Sequence, residues 1–130
     1  MHIRAYAKKE VMTMQEEAAL FKALSDPTRL RLAVLLAIRG ETCVCDLAAA
    51  LDEPDYKISR HLGILRGGGL VEARREGAWM HYRLAERRTD LEKCLLGCLR
   101  DCLAGHPEIR EDLERLESAQ SAKGAECDEQ

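Results

Sequence analysis

Residues 44–84 read VCDLAAALDEPDYKISRHLGILRGGGLVEARREGAWMHYRL, and the order of patterns in this stretch decides the fold. An apolar segment predicts a short helix at about Val44–Leu51. A turn follows around Pro54, and the next apolar spacing predicts a second helix from about Asp55 to Arg66. Two short helices joined by a tight turn are typical of a helix-turn-helix.

The second half of this stretch predicts a β-hairpin. The glycines at 67–69 end the helix, and two strand-like segments follow at Leu70–Arg74 and Trp79–Leu84. Glu76-Gly77 supplies the turn between them. A helix of this unit fits the major groove of DNA, while basic residues on the hairpin can neutralise phosphates. The prediction is therefore a mainly α fold with a small β-hairpin wing, a winged helix-turn-helix.

Helical spacing also predicts elements on both sides of this unit. One helix should start at Met14, and a second should run from Thr28 to Arg39, with Asp26 as its N-cap, Pro27 in its first turn and Gly40 at its end. Beyond the hairpin, helices are predicted at about Thr89–Ala104 and Glu108–Ser118, with disorder from Ala119 to Gln130.

These elements suggest how the chain is divided. We predict a flexible N-terminus at residues 1–12, a winged helix-turn-helix DNA-binding domain at 13–104, and an acidic tail at 105–130. A chain of 130 residues fits a single core, which should be aliphatic because the chain has only five aromatic residues. No apolar run of about 18 residues exists, and residues 1–9 lack an apolar signal region. We therefore expect a cytoplasmic protein with no membrane partner.

The distribution of charge is more informative than the net charge of −3. Residues 54–88 hold eight basic and four acidic side chains, whereas residues 105–130 hold eight acidic and three basic ones. A basic middle segment beside an acidic tail is compatible with a DNA-binding face.

The chain has six cysteines, and two of them lie at the predicted start of a helix. Clustered thiols in a cytoplasmic protein are typical of metal ligands or redox groups rather than structural disulfides. On an ideal helix Cys43 and Cys45 would point about 200° apart, so they can share an ion only if Cys43 precedes the first turn or that turn is deformed. The helix N-terminus should lower their pKa, which favours the thiolate that binds soft ions. Two small apolar side chains in a helix contact are the alternative.

A second thiol group is predicted on the helix near residue 100, where Cys94, Cys98 and Cys102 recur every four residues. Cys94 and Cys102 should lie about 12 Å apart along the axis, so only neighbouring pairs can share an ion from one helix. Packing between two helices is an alternative role for these side chains. Cys127 is predicted to be an exposed thiol without a fixed role.

Four motifs in this order resemble the ArsR/SmtB family of metal-responsive repressors, and most closely its arsenic-sensing members. The resemblance covers residues 14–104 and rests on the segments Ala23-Leu24-Ser25-Asp26-Pro27-Thr28-Arg29-Leu30, Glu41-Thr42-Cys43-Val44-Cys45-Asp46-Leu47-Ala48, Lys57-Ile58-Ser59-Arg60-His61-Leu62 and His81-Tyr82-Arg83-Leu84. It implies a homodimer that binds an inverted repeat in double-stranded operator DNA. The implied DNA contacts are Lys57, Ser59, Arg60 and His61 on the recognition helix, and Arg74 and Arg75 on the wing. Stacking of His61 against the neighbouring helix is the alternative.

The resemblance also implies the inducer, As(III) or alternatively Sb(III), bound by the thiolates of Cys43 and Cys45. Relatives often supply a third cysteine at the position that Ala48 occupies here. We therefore expect the third sulfur from Cys94, Cys98 or Cys102, in the same chain or in the partner subunit, unless these three form a separate site.

Two other functions remain open from the sequence. The same fold could sense oxidants or reactive sulfur through its thiols, or the chain could be a metal buffer without a DNA role. The basic segment argues against a buffer. No acid–base pair or nucleophile arrangement emerges, so we predict that the chain is not an enzyme.

Overall fold

The computed structural model describes residues 12–86 and 89–128. Its elements are α1 (Met14–Leu24), α2 (Pro27–Arg39), β1 (Thr42–Cys43), α3 (Val44–Leu51), α4 (Asp55–Gly67), β2 (Val71–Glu76), β3 (Trp79–Leu84), α5 (Asp90–Leu103) and α6 (Pro107–Asp128). The mainly helical architecture with a small hairpin is confirmed. None of the described helices is both long and apolar enough to cross a membrane. Of the predicted flexible N-terminus at 1–12, residues 1–11 lie outside the described part, as does the side chain of Cys127.

Local signals fix the ends of the helices as predicted. The Asp26 carboxylate accepts a hydrogen bond from the Arg29 backbone amide at 3.0 Å, and Pro27 opens α2. Gly40 ends α2 with a φ of 80°, a backbone conformation that residues with a Cβ rarely adopt. These caps place β1 and α3 immediately after α2.

An aliphatic core holds α1 to α4 together, as the shortage of aromatic residues predicts. Its largest fully buried apolar side chains are Leu20, Leu32, Leu35, Leu36, Leu47, Ile58, Leu62, Leu65, Leu70, Leu116 and Val34. Helix α4 contributes Ile58, Leu62 and Leu65, the core residues that its apolar spacing predicts. At its end, Gly68 lies so close to α1 that an added Cβ would be 3.0 Å from the Ala23 Cβ. This packing holds the end of α4 against α1.

The sheet has one strand more than the sequence predicted. The hairpin strands β2 and β3 pair antiparallel, with β2 running to Glu76 rather than ending at Arg74. The unpredicted β1 pairs with the other edge of β3, which places Cys43 opposite His81. A two-residue strand is too short to give an alternating pattern, so periodicity could not reveal it. The pairing connects the first predicted thiol directly to the wing.

The C-terminal segment corrects the prediction of a tail that becomes disordered at Ala119. Helix α6 continues to Asp128 and packs against α3 and α2. Ile109 and Leu116 on this helix are buried in the common core, so the structure has no boundary at residue 104. Composition misled the prediction because only one narrow face of α6 is apolar, and that face is covered by tertiary contacts.

A buried ionic cluster ties α6 to the helices beneath it. The Asp112 carboxylate is completely buried and accepts two hydrogen bonds from the Arg31 guanidinium, at 2.9 and 2.7 Å. Arg115 donates to the same carboxylate at 2.8 Å and to the Ala50 carbonyl of α3 at 2.7 Å. The hydrogen bonds that Arg31 donates to Asp112 raise the pKa of Arg31. This cluster fixes α6 across α2 and α3.

Candidate metal centre and nucleic-acid interface

Cys43 and Cys45 converge because Cys43 stands before the first helical turn. Cys43 is the N-cap of α3, with extended backbone angles of −77° and 153°, and it belongs to β1. The Sγ atoms of both cysteines and a carboxylate oxygen of Asp46 lie within 4.8 Å of one another. The first of the two conditions for a shared ion is therefore met, and the helix need not deform to bring the sulfurs together.

A lysine from the far end of the chain lies against this group. The Lys123 ammonium of α6 is 3.0 Å from the Cys43 Sγ, 3.2 Å from the Cys45 Sγ and 3.9 Å from the Asp46 carboxylate. It also lies 4.3 Å from the centre of the Trp79 ring, a cation–π contact with the wing. Sequence reasoning missed Lys123 because no pattern links a residue on α6 to the start of α3. Asp46 was adjacent to the predicted pair and could have been included as a hard oxygen ligand.

The electrostatics differ from the expected activation by the helix N-terminus. Burial and the neighbouring Cys43 raise the pKa of the Cys45 thiol, while the Lys123 ammonium opposes this rise. The predicted lowering is therefore wrong for Cys45. Burial lowers the pKa of Lys123. The contacts of the Lys123 ammonium with the two sulfurs and with Asp46 outweigh this effect and raise the pKa overall.

The cysteines of α5 do not join the first thiol pair. Cys94, Cys98 and Cys102 are exposed, and the Sγ atoms of Cys98 and Cys102 lie 3.7 Å apart. Among side chains of the described residues, the group with metal-ligand geometry contains only Cys43, Cys45 and Asp46. A third sulfur from α5 of the same chain is therefore absent from the site. The neighbouring Cys98 raises the pKa of Cys102.

The predicted recognition helix presents some of its polar residues to solvent. Ser59 and Arg60 are exposed on α4. Lys57 is half-buried, and its ammonium pairs with the Glu53 carboxylate at 3.1 Å. Arg60 is therefore the better-placed cation on this helix for a contact with DNA.

His61 has a different environment from its neighbours on α4. It is only 9% exposed, with its Nδ1 atom 3.5 Å from the Arg29 guanidinium and 3.8 Å from the Asp26 carboxylate. Burial lowers the pKa of His61, which disfavours the charged ring. A buried ring that packs against the start of α2 argues against the predicted DNA contact of His61.

The two wing arginines also differ from each other. The Arg74 guanidinium makes two hydrogen bonds to the Glu41 carboxylate, at 3.1 and 2.6 Å, and pairs with Glu76 at 3.1 Å. These contacts raise the pKa of Arg74 and lower the pKa of Glu41. Arg75 is exposed on the same strand. Two carboxylates therefore compete with DNA phosphates for Arg74, and one of them lies two residues before Cys43.

Comparison with known proteins identifies the relatives of this chain. The sequence model described as "Bacterial regulatory protein, arsR family" matches residues 26–73. The "Arsenical resistance operon repressor" of Escherichia coli is 56% identical over 66 residues, which cover 51% of this chain and 56% of that protein. The match thus spans little more than half the length of that relative.

Two solved structures match over larger shares of their chains. The homodimeric winged helix-turn-helix domain of Mb0332 from Mycobacterium bovis is 35% identical, with a TM-score of 0.58 over 72% of this chain and 87% of that one. The AntR antimony-specific transcriptional repressor is 36% identical, with a TM-score of 0.57 over 70% of this chain and 77% of that one. These matches confirm the winged helix-turn-helix. The chain belongs to the arsR family of bacterial regulatory proteins.

Proposed function

We propose that the protein is a homodimeric, DNA-binding transcriptional repressor of a metalloid-resistance operon, released from its operator when As(III) or Sb(III) binds Cys43 and Cys45. The observation that carries this proposal is the position of the thiol pair, on a strand hydrogen-bonded to the wing and at the start of α3. The family membership and the printed functions of the E. coli and AntR relatives support it.

The dimer has a candidate surface on α1 and α5. Met14 is 81% exposed and Phe21 49% exposed on α1, and Leu91 is also exposed on α5. Three large, exposed apolar side chains on these two helices favour contact with a second subunit. The homodimeric Mb0332 domain supports the same assembly for this chain. A dimer would bind an inverted repeat with half-sites about 34 Å apart, one turn of the double helix.

The chemistry of the thiol pair suits trivalent arsenic. Each As–S bond forms when a thiol sulfur replaces one hydroxyl of As(OH)₃, and the thiol proton leaves with that hydroxyl as water. Two such steps give a neutral adduct bridging Cys43 and Cys45, with one hydroxyl left on arsenic. The third position could instead be filled by a cysteine from α5 of the partner subunit, since α5 of the same chain supplies none at this site.

A structural change at the ion site can be transmitted to the DNA-binding face through two short connections. Cys43 pairs with His81 of the wing, and Glu41, two residues earlier, holds Arg74. Helix α3 carries Cys45 and packs against α4. Bonds from both sulfurs to one atom would fix β1 relative to α3. Because β1 pairs with the wing and α3 packs against α4, the wing and the recognition helix would then change position together.

Replacing Arg60 with alanine tests the DNA interface. An exposed guanidinium on the recognition helix can contact guanine or phosphate, so Arg60→Ala should weaken operator binding by about 1–3 kcal/mol, or roughly 5- to 150-fold. The measurement is a gel-shift titration at physiological salt, with circular dichroism to show that the variant is folded. Arg110→Ala, on the exposed side of α6, is the matched control and should bind normally. Equal affinities of Arg60→Ala and wild type would remove Arg60 from the interface.

A thiol redox sensor of the same fold is the second candidate. The exposed Cys98 and Cys102, with sulfurs 3.7 Å apart, are the observation that favours it. Strong reductant separates the two functions, because it abolishes a disulfide signal and leaves arsenite binding intact. Release of DNA by arsenite under reductant supports the metalloid sensor, whereas release only by oxidant, and not by arsenite, supports the redox sensor.

A further inference from the structure

We propose that Lys123 is a tethered cation which occupies the ion position of the thiol site and must leave when arsenite binds, so that the end of α6 acts as a latch between the site and the wing. This inference rests on the proposed function, because it assigns a role to a residue at the same site. It adds a residue that is not a metal ligand but that sets the affinity for the ion.

The geometry places the Lys123 ammonium where a shared ion would bind. Its nitrogen lies 3.0 and 3.2 Å from the two sulfurs and 3.9 Å from the carboxylate of Asp46. These three residues supply the atoms of the candidate metal centre. An atom bonded to both sulfurs on this side would overlap the ammonium, because metal–sulfur bonds are about 2.3 Å long.

The contacts of Lys123 favour the ion-free state. The Lys123 ammonium donates hydrogen bonds to both sulfurs, whereas an arsenic atom bonded to both sulfurs would take the place of the ammonium. The Lys123 contacts with Cys43 and Cys45 therefore exist only before arsenite binds. An interaction that is made in only one state shifts the equilibrium toward that state. Lys123 therefore lowers the affinity of the site for arsenite.

The position of Lys123 on α6 makes its release a signal. Leu116 is the last buried residue of α6 among the described side chains, and Lys123 lies two helical turns beyond it. Lys123 also contacts Trp79, the first residue of β3. When the ammonium leaves, the end of α6 loses its contacts with the site, and the wing loses its cation–π contact.

Lys123→Met tests the affinity, because methionine keeps most of the apolar stem and removes the charge. Full-length reduced protein is titrated with sodium arsenite while the ultraviolet absorption of the arsenic–thiolate bonds is followed. Lys123→Met should bind arsenite at least about fivefold more tightly than wild type, the lower end of the usual range for linked events. Arg110→Met, a charge removal on the same helix, should bind like wild type. Equal or weaker binding by Lys123→Met would overturn the proposal, since a cation that only activated the thiols gives that result.

Trp79 provides an independent readout because it is the only tryptophan in the chain. Arsenite should change the Trp79 fluorescence of wild type and of Arg110→Met, and should change that of Lys123→Met much less. The same change in all three proteins, or none in any, would contradict the latch. If wild type binds no arsenite, the proposed function fails together with this inference. If wild type and Lys123→Met bind arsenite equally, the inference alone fails.

Discussion

The double substitution Cys43→Ser, Cys45→Ser is expected to abolish the release of operator DNA by arsenite while leaving DNA binding itself intact. Serine is close to cysteine in size and preserves the packing at the start of α3, but its hydroxyl does not form the bonds that a thiolate forms with As(III). The measurement is fluorescence anisotropy of labelled operator DNA, with and without saturating arsenite, in strong reductant.

Two control variants locate the response. Cys127→Ser should behave like wild type. The triple variant Cys94→Ser, Cys98→Ser, Cys102→Ser should retain release if the pair at α3 is sufficient. Release that persists in the double variant and disappears in the triple variant would move the sensor to α5. X-ray absorption of arsenite-loaded wild type counts the ligands: two sulfurs and one oxygen indicate the pair alone, and three sulfurs indicate a further cysteine.

Asp112→Ala is expected to destabilise the fold by about 3 kcal/mol, the lower end of the usual cost of breaking a buried ion pair. The substitution leaves the Arg31 guanidinium beneath α6 without its carboxylate, and it removes an anchor between α6 and α2. The lower end of the range applies because Arg31 and Arg115 are partly exposed and can recover some hydration. Urea unfolding at fixed protein concentration measures the free-energy change.

An exposed ion pair provides the matched control for Asp112. Asp101 pairs with its neighbour Arg100 on the surface of α5, at 2.9 Å. Asp101→Ala should change the free energy of unfolding by less than about 0.5 kcal/mol, as surface substitutions usually do. Similar losses for Asp112→Ala and Asp101→Ala would show that the buried cluster contributes no more than a surface contact.

The fold was largely predictable because its determinants are local in sequence. The N-cap Asp26, the terminator Gly40 and the hairpin turn at Gly77 each act over a few residues, and each was read correctly. The sequence predicted that Cys43 and Cys45 can share an ion only if Cys43 precedes the first turn of the helix or that turn is deformed. Which of these holds depends on where α3 begins. The structure meets that condition because Cys43 is drawn into a strand.

The features that were missed depend on contacts between distant residues. Lys123 reaches the thiols across about 80 positions, and Asp112 meets Arg31 across a similar separation. His61 was predicted either to contact DNA or to stack against the neighbouring helix, and its contacts with Arg29 and Asp26 favour the second. A single sequence carries no periodic signal for such pairs, so the part of α6 from Ala119 onward was predicted to be disordered, although the helix at Glu108–Ser118 was predicted.

The central claim is that ion binding and DNA binding oppose each other, and one measurement tests it directly. The operator affinity of the reduced wild-type protein is determined without arsenite and with saturating arsenite, at the same salt concentration. We predict that arsenite weakens DNA binding by about 1–3 kcal/mol, or roughly 5- to 150-fold, and that operator DNA weakens arsenite binding by the same factor. An operator affinity that is unchanged by saturating arsenite, in protein shown to have bound it, would contradict the account.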